Sequence, residues 1–170
     1  MMNAQVTEKR QITLVGMDFF GNPYEKAGGW SAQSTIGVLW QRFQHFNQTH
    51  QGAIKHQISE AGYEVWIDLE EGTEKQEPKQ EYIFVGVEVA QIDELPLPLV
   101  AKVLPATRYA VFTVRGNQIT SDWSSALWNQ WLPEAGLQQA YPYLIEYYDA
   151  QRFHGMDHPD SELALYVPIV

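Results

Sequence analysis

Pro142-Tyr143-Leu144-Ile145-Glu146-Tyr147-Tyr148-Asp149 is the stretch on which the fold turns. Tyr143 to Tyr148 reads as one β-strand, because aromatic and branched side chains favour a pleated, half-buried surface. Side chains alternate across a strand. Leu144, Glu146 and Tyr148 therefore share one face, and Tyr143, Ile145 and Tyr147 share the other. A carboxylate between two large hydrophobes is poorly solvated. It must find a cation, find hydrogen-bond donors or take up a proton, since an uncompensated buried charge is costly.

Working outward, the same kind of strand recurs. Ile12–Phe20, Gly62–Leu69, Tyr82–Val89, Tyr109–Arg115 and Glu162–Ile169 are further strand candidates, with turn signals at Gly21-Asn22-Pro23 and Gly116-Asn117. Ile36, Leu39, Trp40, Phe43 and Phe46 recur at helical spacing after a capping Ser31 or Ser34. A second helix carries Trp123, Leu127, Trp128 and Trp131, capped by Thr120 or Ser121 and ended by Pro133 and Gly136. Residues 1–9 read as a flexible start. Lys26 to Gly29 and the charged run Glu70 to Glu81 read as solvated loops, and Ile54 to Ile58 as a short strand or connection. Leu95-Pro96-Leu97-Pro98 interrupts regular structure, which places a boundary near residues 93–106.

The two halves repeat one another. Leu39-Trp40-Gln41-Arg42-Phe43 matches Leu127-Trp128-Asn129-Gln130-Trp131, and Tyr63-Glu64-Val65-Trp66 matches Ile145-Glu146-Tyr147-Tyr148. The offset drifts from 88 residues (Trp40 to Trp128) through 82 (Glu64 to Glu146) to 80 (Val87 to Val167), as loops of unequal length require. The expected fold is α+β. It has two βαββ units, about 10–92 and 106–170, in one domain over 1–170. The units are related by a pseudo-two-fold axis, with an antiparallel sheet, two main helices and a ligand cleft at the centre.

Composition narrows the function. The 170 residues are 45% hydrophobic and 13% aromatic, so a real core can form. The formal net charge of −10 repels phosphate and argues against nucleic-acid binding by this chain. There are no cysteines, so disulfides and thiolate metal sites are excluded. Met1 to Gln11 is polar and shows no signal peptide, and no run approaches the ~20 apolar residues of a membrane helix. A cytoplasmic protein is expected.

Chemistry rests on few residues. Glu146 is either paired with Arg108, Arg115 or Lys102, placed near a strand edge, or the negative anchor of an aromatic pocket. Glu64, its repeat mate, and Glu88, on a face with Phe84 and Gly86, also interrupt apolar strands. His45, His50, His56, His154 and His158 have no metal-ligand spacing beyond the weak pair His154 and His158, and no phosphate-binding glycine loop or nucleophile elbow is present. No metal site and no cofactor are expected. Trp40, Trp66, Tyr82, Phe84, Tyr109, Phe112, Trp128, Tyr147 and Tyr148 can face an interior, and a subset of such rings around one carboxylate attracts cations.

The runs Leu104 to Phe112, Trp131-Leu132-Pro133-Glu134-Ala135-Gly136, Tyr143 to Asp149 and Leu165-Tyr166-Val167-Pro168-Ile169, with Gly62 to Trp66 and Phe84 to Val89, resemble the GyrI-like, AraC-type effector-binding domain family. The resemblance runs from about residue 10 to Val170. It implies a duplicated βαββ fold with a ligand cleft. It also implies binding of lipophilic organic cations by a strand glutamate in an aromatic pocket, as in multidrug-responsive transcription regulators. The matching position is Glu146, with Trp40, Tyr82, Phe84, Tyr109, Trp128, Tyr148, Glu64 and Glu88 as further candidates. No DNA-binding helical module precedes the domain, so a stand-alone member of the integron-cassette kind is expected. The reading favours a non-enzymatic module for small cationic molecules and leaves a DNA-binding regulator open as a protein partner. The alternatives are a hydrolase using Glu146 as general base and a gyrase-inhibitor-like interaction module.

Overall fold

The computed structural model describes residues 2–24, 33–68 and 80–170. Ser31, Lys26 to Gly29 and most of the Glu70 to Glu81 loop lie outside the described residues. The described residues form eight strands, and the chain divides into two compact units.

The unit over residues 13–103 holds β2 (Ile12–Gly21), α1 (Thr35–Thr49), β3 (Gly62–Ile67), β4 (Glu81–Glu88) and β5 (Val100–Leu104). Its strands run β3-β4-β2-β5, and β4 pairs antiparallel with both β2 and β3. Ser34 caps α1 as expected, its hydroxyl accepting the Gly37 N–H at 3.1 Å. Ile36, Leu39, Phe43 and Phe46 form the buried face of α1 and pack on Val15, Met17, Ile83, Val85 and Val87. Each such fully buried side chain contributes about 1.5–3 kcal/mol. These contacts define the helix face of the sheet.

The other unit, residues 1–12 and 104–170, holds β1 (Gln5–Lys9), β6 (Thr107–Arg115), β7 (Tyr143–Tyr148) and β8 (Glu162–Ile169) in the order β1-β6-β8-β7. Its helical segment consists of α2 (Trp123–Ala126), a π-turn over Leu127–Trp131 and α3 (Leu132–Glu134). The Trp131 ring lies 6.0 Å from the Phe112 ring, which marks the helix face. Phe112 stands opposite Leu165, and Leu165 stands opposite Glu146, so Glu146 belongs to that face.

The repeat is visible in the wiring. In sequence order each unit supplies a strand, a helical segment and two strands, and in both the last of these strands lies between the other two: β3-β4-β2 and β7-β8-β6.

Two local features depart from the sequence reading. Residues 5–9, read as flexible, form β1, an edge strand paired with β6 from Gln5↔Val111 to Lys9↔Thr107. Its polar residues hide the pattern because an edge strand buries little on either face. Asp122, not Thr120 or Ser121, caps α2 by accepting the Ser125 N–H, because a 3₁₀ turn over Gly116–Gln118 delays the helix start. The Ile54 to Ile58 segment, read as a short strand or connection, is a connection with one isolated bridge, Gln57↔Val89.

The second helix also lacks the regularity of α1. Pro133 has no N–H, and in a regular α-helix its ring would crowd the carbonyl of Asn129. The chain widens instead, and the Leu132 N–H reaches back five residues to the Leu127 carbonyl. Gly136, at φ 66°, ends the segment in the left-handed region, as a glycine at that position readily does.

Candidate functional site

Glu146 and Glu64 are both about 1% exposed, and both sit on the helix face of their own unit. Each has an aromatic partner two residues along the same strand, which alternation brings to the same face. The Tyr148 hydroxyl donates to Glu146 Oε2 at 3.0 Å. The Trp66 indole N–H donates to Glu64 Oε1 at 2.8 Å, and the Trp40 N–H from α1 donates to Glu64 Oε2 at 2.7 Å. Hydrogen bonds to an ionised group contribute roughly 1.5–3 kcal/mol each, which offsets much of the cost of burial.

Arg108, Arg115 and Lys102, the cations weighed beside Glu146, have other neighbours. Arg108 donates to the Val170 carbonyl. Arg115 pairs with Glu162 at 2.7 Å. Lys102 donates to the Tyr82 hydroxyl at 2.7 Å and lies 3.7 Å from Asp18. Around Glu146 the aromatic setting continues through the Tyr148 ring, which meets Phe153 edge-on at 4.8 Å.

The remaining candidates fall in several places. Tyr82, Phe84 and Glu88 lie on the face of their sheet opposite Glu64, as the β4 register requires. The Tyr82 hydroxyl donates to the Asp18 carboxylate, completing a Lys102–Tyr82–Asp18 relay at the end of the sheet. Phe84 is fully buried, and its ring tip lies against Gly16 and Gly86. Glu88 accepts the Tyr63 hydroxyl at 2.6 Å. Trp128 is half-buried within the π-turn.

Tyr109 lies opposite Glu146 in direction, on the far face of its sheet, where its hydroxyl meets that of Tyr143 at 2.6 Å. Burial, reinforced by the Tyr109 hydrogen bond, raises the Tyr143 phenol well above its ordinary 10.0, and burial also raises Tyr109. A pKa raised by folding favours the protonated form, so the stability it reflects is complete below about pH 10 and is lost as pH rises beyond it. Unfolding midpoints should therefore fall from pH 9 to 11 in the wild type and fall less steeply in Tyr143→Phe; parallel curves would remove the dyad from the alkaline limb.

Trp66 and Glu81 stand outside the candidates for the ligand site, the first hydrogen-bonded to Glu64 and the second buried. Trp66 was legible through its i+2 spacing from Glu64. Glu81 was read as part of a solvated loop, but it opens β4 and is 6% exposed. Nothing in its sequence neighbourhood signals that burial.

The family model for "Integron-associated effector binding protein", Cass2, matches residues 5–169. The chain belongs to the Cass2 family. Among relatives, the transcriptional regulator BrlR of Pseudomonas aeruginosa is 35% identical over 171 residues, a match covering 99% of this chain and 56% of that regulator. The Cass2-family chain thus spans about half the length of the curated relative it matches. An integron cassette protein from the mobile metagenome of Vibrio cholerae shares its fold at a TM-score of 0.60 and 13% identity, covering 98% of this chain and 95% of that one. The structure of SAV2435 bound to tetraphenylphosphonium shares it at 0.67 and 16% identity, covering 99% and 94%. As a Cass2 member the chain is a small-molecule effector-binding domain of regulator-related type. No described helix is long and apolar enough to cross a membrane.

The indole clamp on Glu64 has a measurable consequence. Trp40→Phe keeps most of the ring and removes one N–H from a buried carboxylate. The expected loss is about 1.5–3 kcal/mol of unfolding free energy in urea. Trp66→Phe should cost a similar amount, and the double variant should differ from the sum, because both donors serve one group. Changes under about 0.5 kcal/mol in both single variants would show that the clamp is not maintained in solution.

Proposed function

We propose that this effector-binding domain takes small lipophilic, aromatic cations, with Glu146 as the negative anchor and neighbouring rings as the shape-selecting surface. The observation that carries the reading is a carboxylate about 1% exposed among aromatic and apolar side chains of the helix face, where an ionised group gains most from an incoming cation. Tyr148, whose hydroxyl already touches Glu146, is the first ring assigned to the ligand. Trp128 belongs to the helical segment of the same unit and is the second.

The reading is supported by the fold relative whose structure holds tetraphenylphosphonium, a lipophilic aromatic cation. The chain's net charge of −10 favours the approach of cations over anions. Binding alone needs only the charge of Glu146, whereas a general base also needs a water or a substrate proton within its reach.

Titration calorimetry with tetraphenylphosphonium and with a neutral triphenyl compound of similar shape tests the proposal. The cation should bind at least tenfold more tightly than the neutral compound. Equal affinities, or steady turnover of a reactive ester abolished by Glu146→Gln, would overturn it in favour of an uncharged site or a hydrolase.

A further inference from the structure

On the face of β7 opposite Glu146, a second aromatic arrangement already holds a cation. Tyr147 on β7 and Tyr166 on β8 meet edge-to-face, with ring centres 5.6 Å apart and planes at 68°. The Lys9 ammonium lies 5.0 Å from the Tyr166 ring centre and 5.9 Å from that of Tyr147. Lys9 is the last residue of β1, whose backbone partner there is Thr107 on β6. Its side chain therefore extends across the sheet from an edge strand to rings on β7 and β8.

Ring faces carry negative electrostatic potential, and two rings meeting at an angle present it from two sides, the geometry that favours alkylammonium groups. The surroundings reinforce this. The Tyr166 phenol is raised above its ordinary range, first by burial and then by the charge of Asp149, with Arg152 opposing. The ring is thus neutral at physiological pH and sits in the field of a carboxylate. Both rings are half-buried, as is Lys9. This leaves the corner dry enough to strengthen the attraction and open enough for the ammonium to leave.

We propose that the Tyr147–Tyr166 corner is a binding site for small alkylammonium ions, occupied in the unliganded protein by Lys9. It stands apart from the Glu146 reading, because residues 146 and 147 of one strand point to opposite faces. Lys9 acts as a tethered competitor. A ligand sees only the fraction of molecules in which the corner is open, and its apparent affinity falls by that fraction. Ligand entry would also free the Lys9 side chain from the rings that anchor the end of β1.

The experiment uses tetramethylammonium, too small to report on a large lipophilic site, followed by titration calorimetry and by aromatic NMR shifts. Lys9→Met keeps the apolar stem and removes the charge, and Lys9→Gln serves as a second variant should the first fold poorly. Both should bind the probe at least tenfold more tightly than the wild type. Adding Tyr166→Leu to Lys9→Met should abolish the gain. Adding Glu146→Gln should leave it unchanged. Folded Lys9 variants that bind no better than the wild type would overturn the proposal and make Lys9 a staple for β1. A gain that disappears with Glu146→Gln would likewise overturn it, by assigning the binding to the other face.

Discussion

Glu146→Gln should weaken tetraphenylphosphonium binding by about 100-fold while leaving a neutral ligand of similar shape level or slightly tighter. The substitution keeps size and one acceptor oxygen, so the Tyr148 hydroxyl retains a partner and the fold is spared. What disappears is the charge. Breaking a buried ion pair by neutralising one member costs roughly 3–5 kcal/mol. A cation whose charge is spread over four phenyl rings realises only part of that, and each 1.4 kcal/mol is a factor of ten. For the neutral ligand the sign reverses, since covering an ionised carboxylate with apolar surface is costly and the amide lowers that cost. A ring substitution gives the opposite signature. Tyr148→Leu should weaken both ligands to similar extents, because stacking area serves each of them. Calorimetry on the four protein–ligand combinations formed by wild type and Glu146→Gln resolves charge from shape. Unchanged cation affinity in Glu146→Gln would make that residue structural and turn attention to Glu64, whose two indole partners give it a comparable aromatic surrounding.

Strand alternation by itself sets Glu146 apart. Alternation is local, so the company of Leu144 and Tyr148 follows from three residues. The same rule, applied to Glu64, pairs it with Trp66. The repeat was legible because Trp40, Glu64 and Val87 recur in order, and the strand orders β3-β4-β2 and β7-β8-β6 carry that repetition into the fold. The second donor to Glu64 was not legible: Trp40 lies 24 residues away on α1, and a distance of that kind is set by how a helix seats on its sheet. The edge strands were hidden for a different reason. Gln5 to Lys9 shows no buried face, and Val100 to Leu104 follows directly on two prolines that signal irregular chain. Both pair through backbone groups, which every residue but proline supplies and which the side-chain pattern therefore does not report. Lys9 was invisible for both reasons, being on an unread strand and meeting rings more than 130 residues later.

Gly16→Ala should be the most damaging single methyl among the described glycines. Gly16 and Gly86 face each other where β2 crosses β4, and the two main chains approach closely there. A Cβ at Gly16 would lie 1.9 Å from the Val85 carbonyl oxygen, 2.6 Å from the Gly86 Cα and 2.8 Å from Phe84 Cζ. A Cβ at Gly86 would lie 2.3 Å from the Val15 carbonyl oxygen and 2.7 Å from the same Phe84 atom. The requirement is space rather than backbone freedom, since neither glycine has a positive φ. The absence of both side chains also makes room for the Phe84 ring, so pair and ring form one packing unit at the centre of this sheet. A flexible side chain could swing away from an added methyl, but carbonyl oxygens in a paired ladder cannot move without breaking hydrogen bonds. The expected cost of Gly16→Ala exceeds about 3 kcal/mol, which lowers the melting temperature by roughly 6–12 °C in a chain of this size. Adding Phe84→Leu should not restore stability, because the main-chain clash remains. Gly52→Ala provides the contrast: its φ is +78° and nothing lies within 4 Å of the added carbon, so only about 1 kcal/mol of backbone strain is expected. Thermal unfolding followed by circular dichroism ranks the variants. A Gly16→Ala protein that melts within 3 °C of wild type would show that the strands do not approach as described.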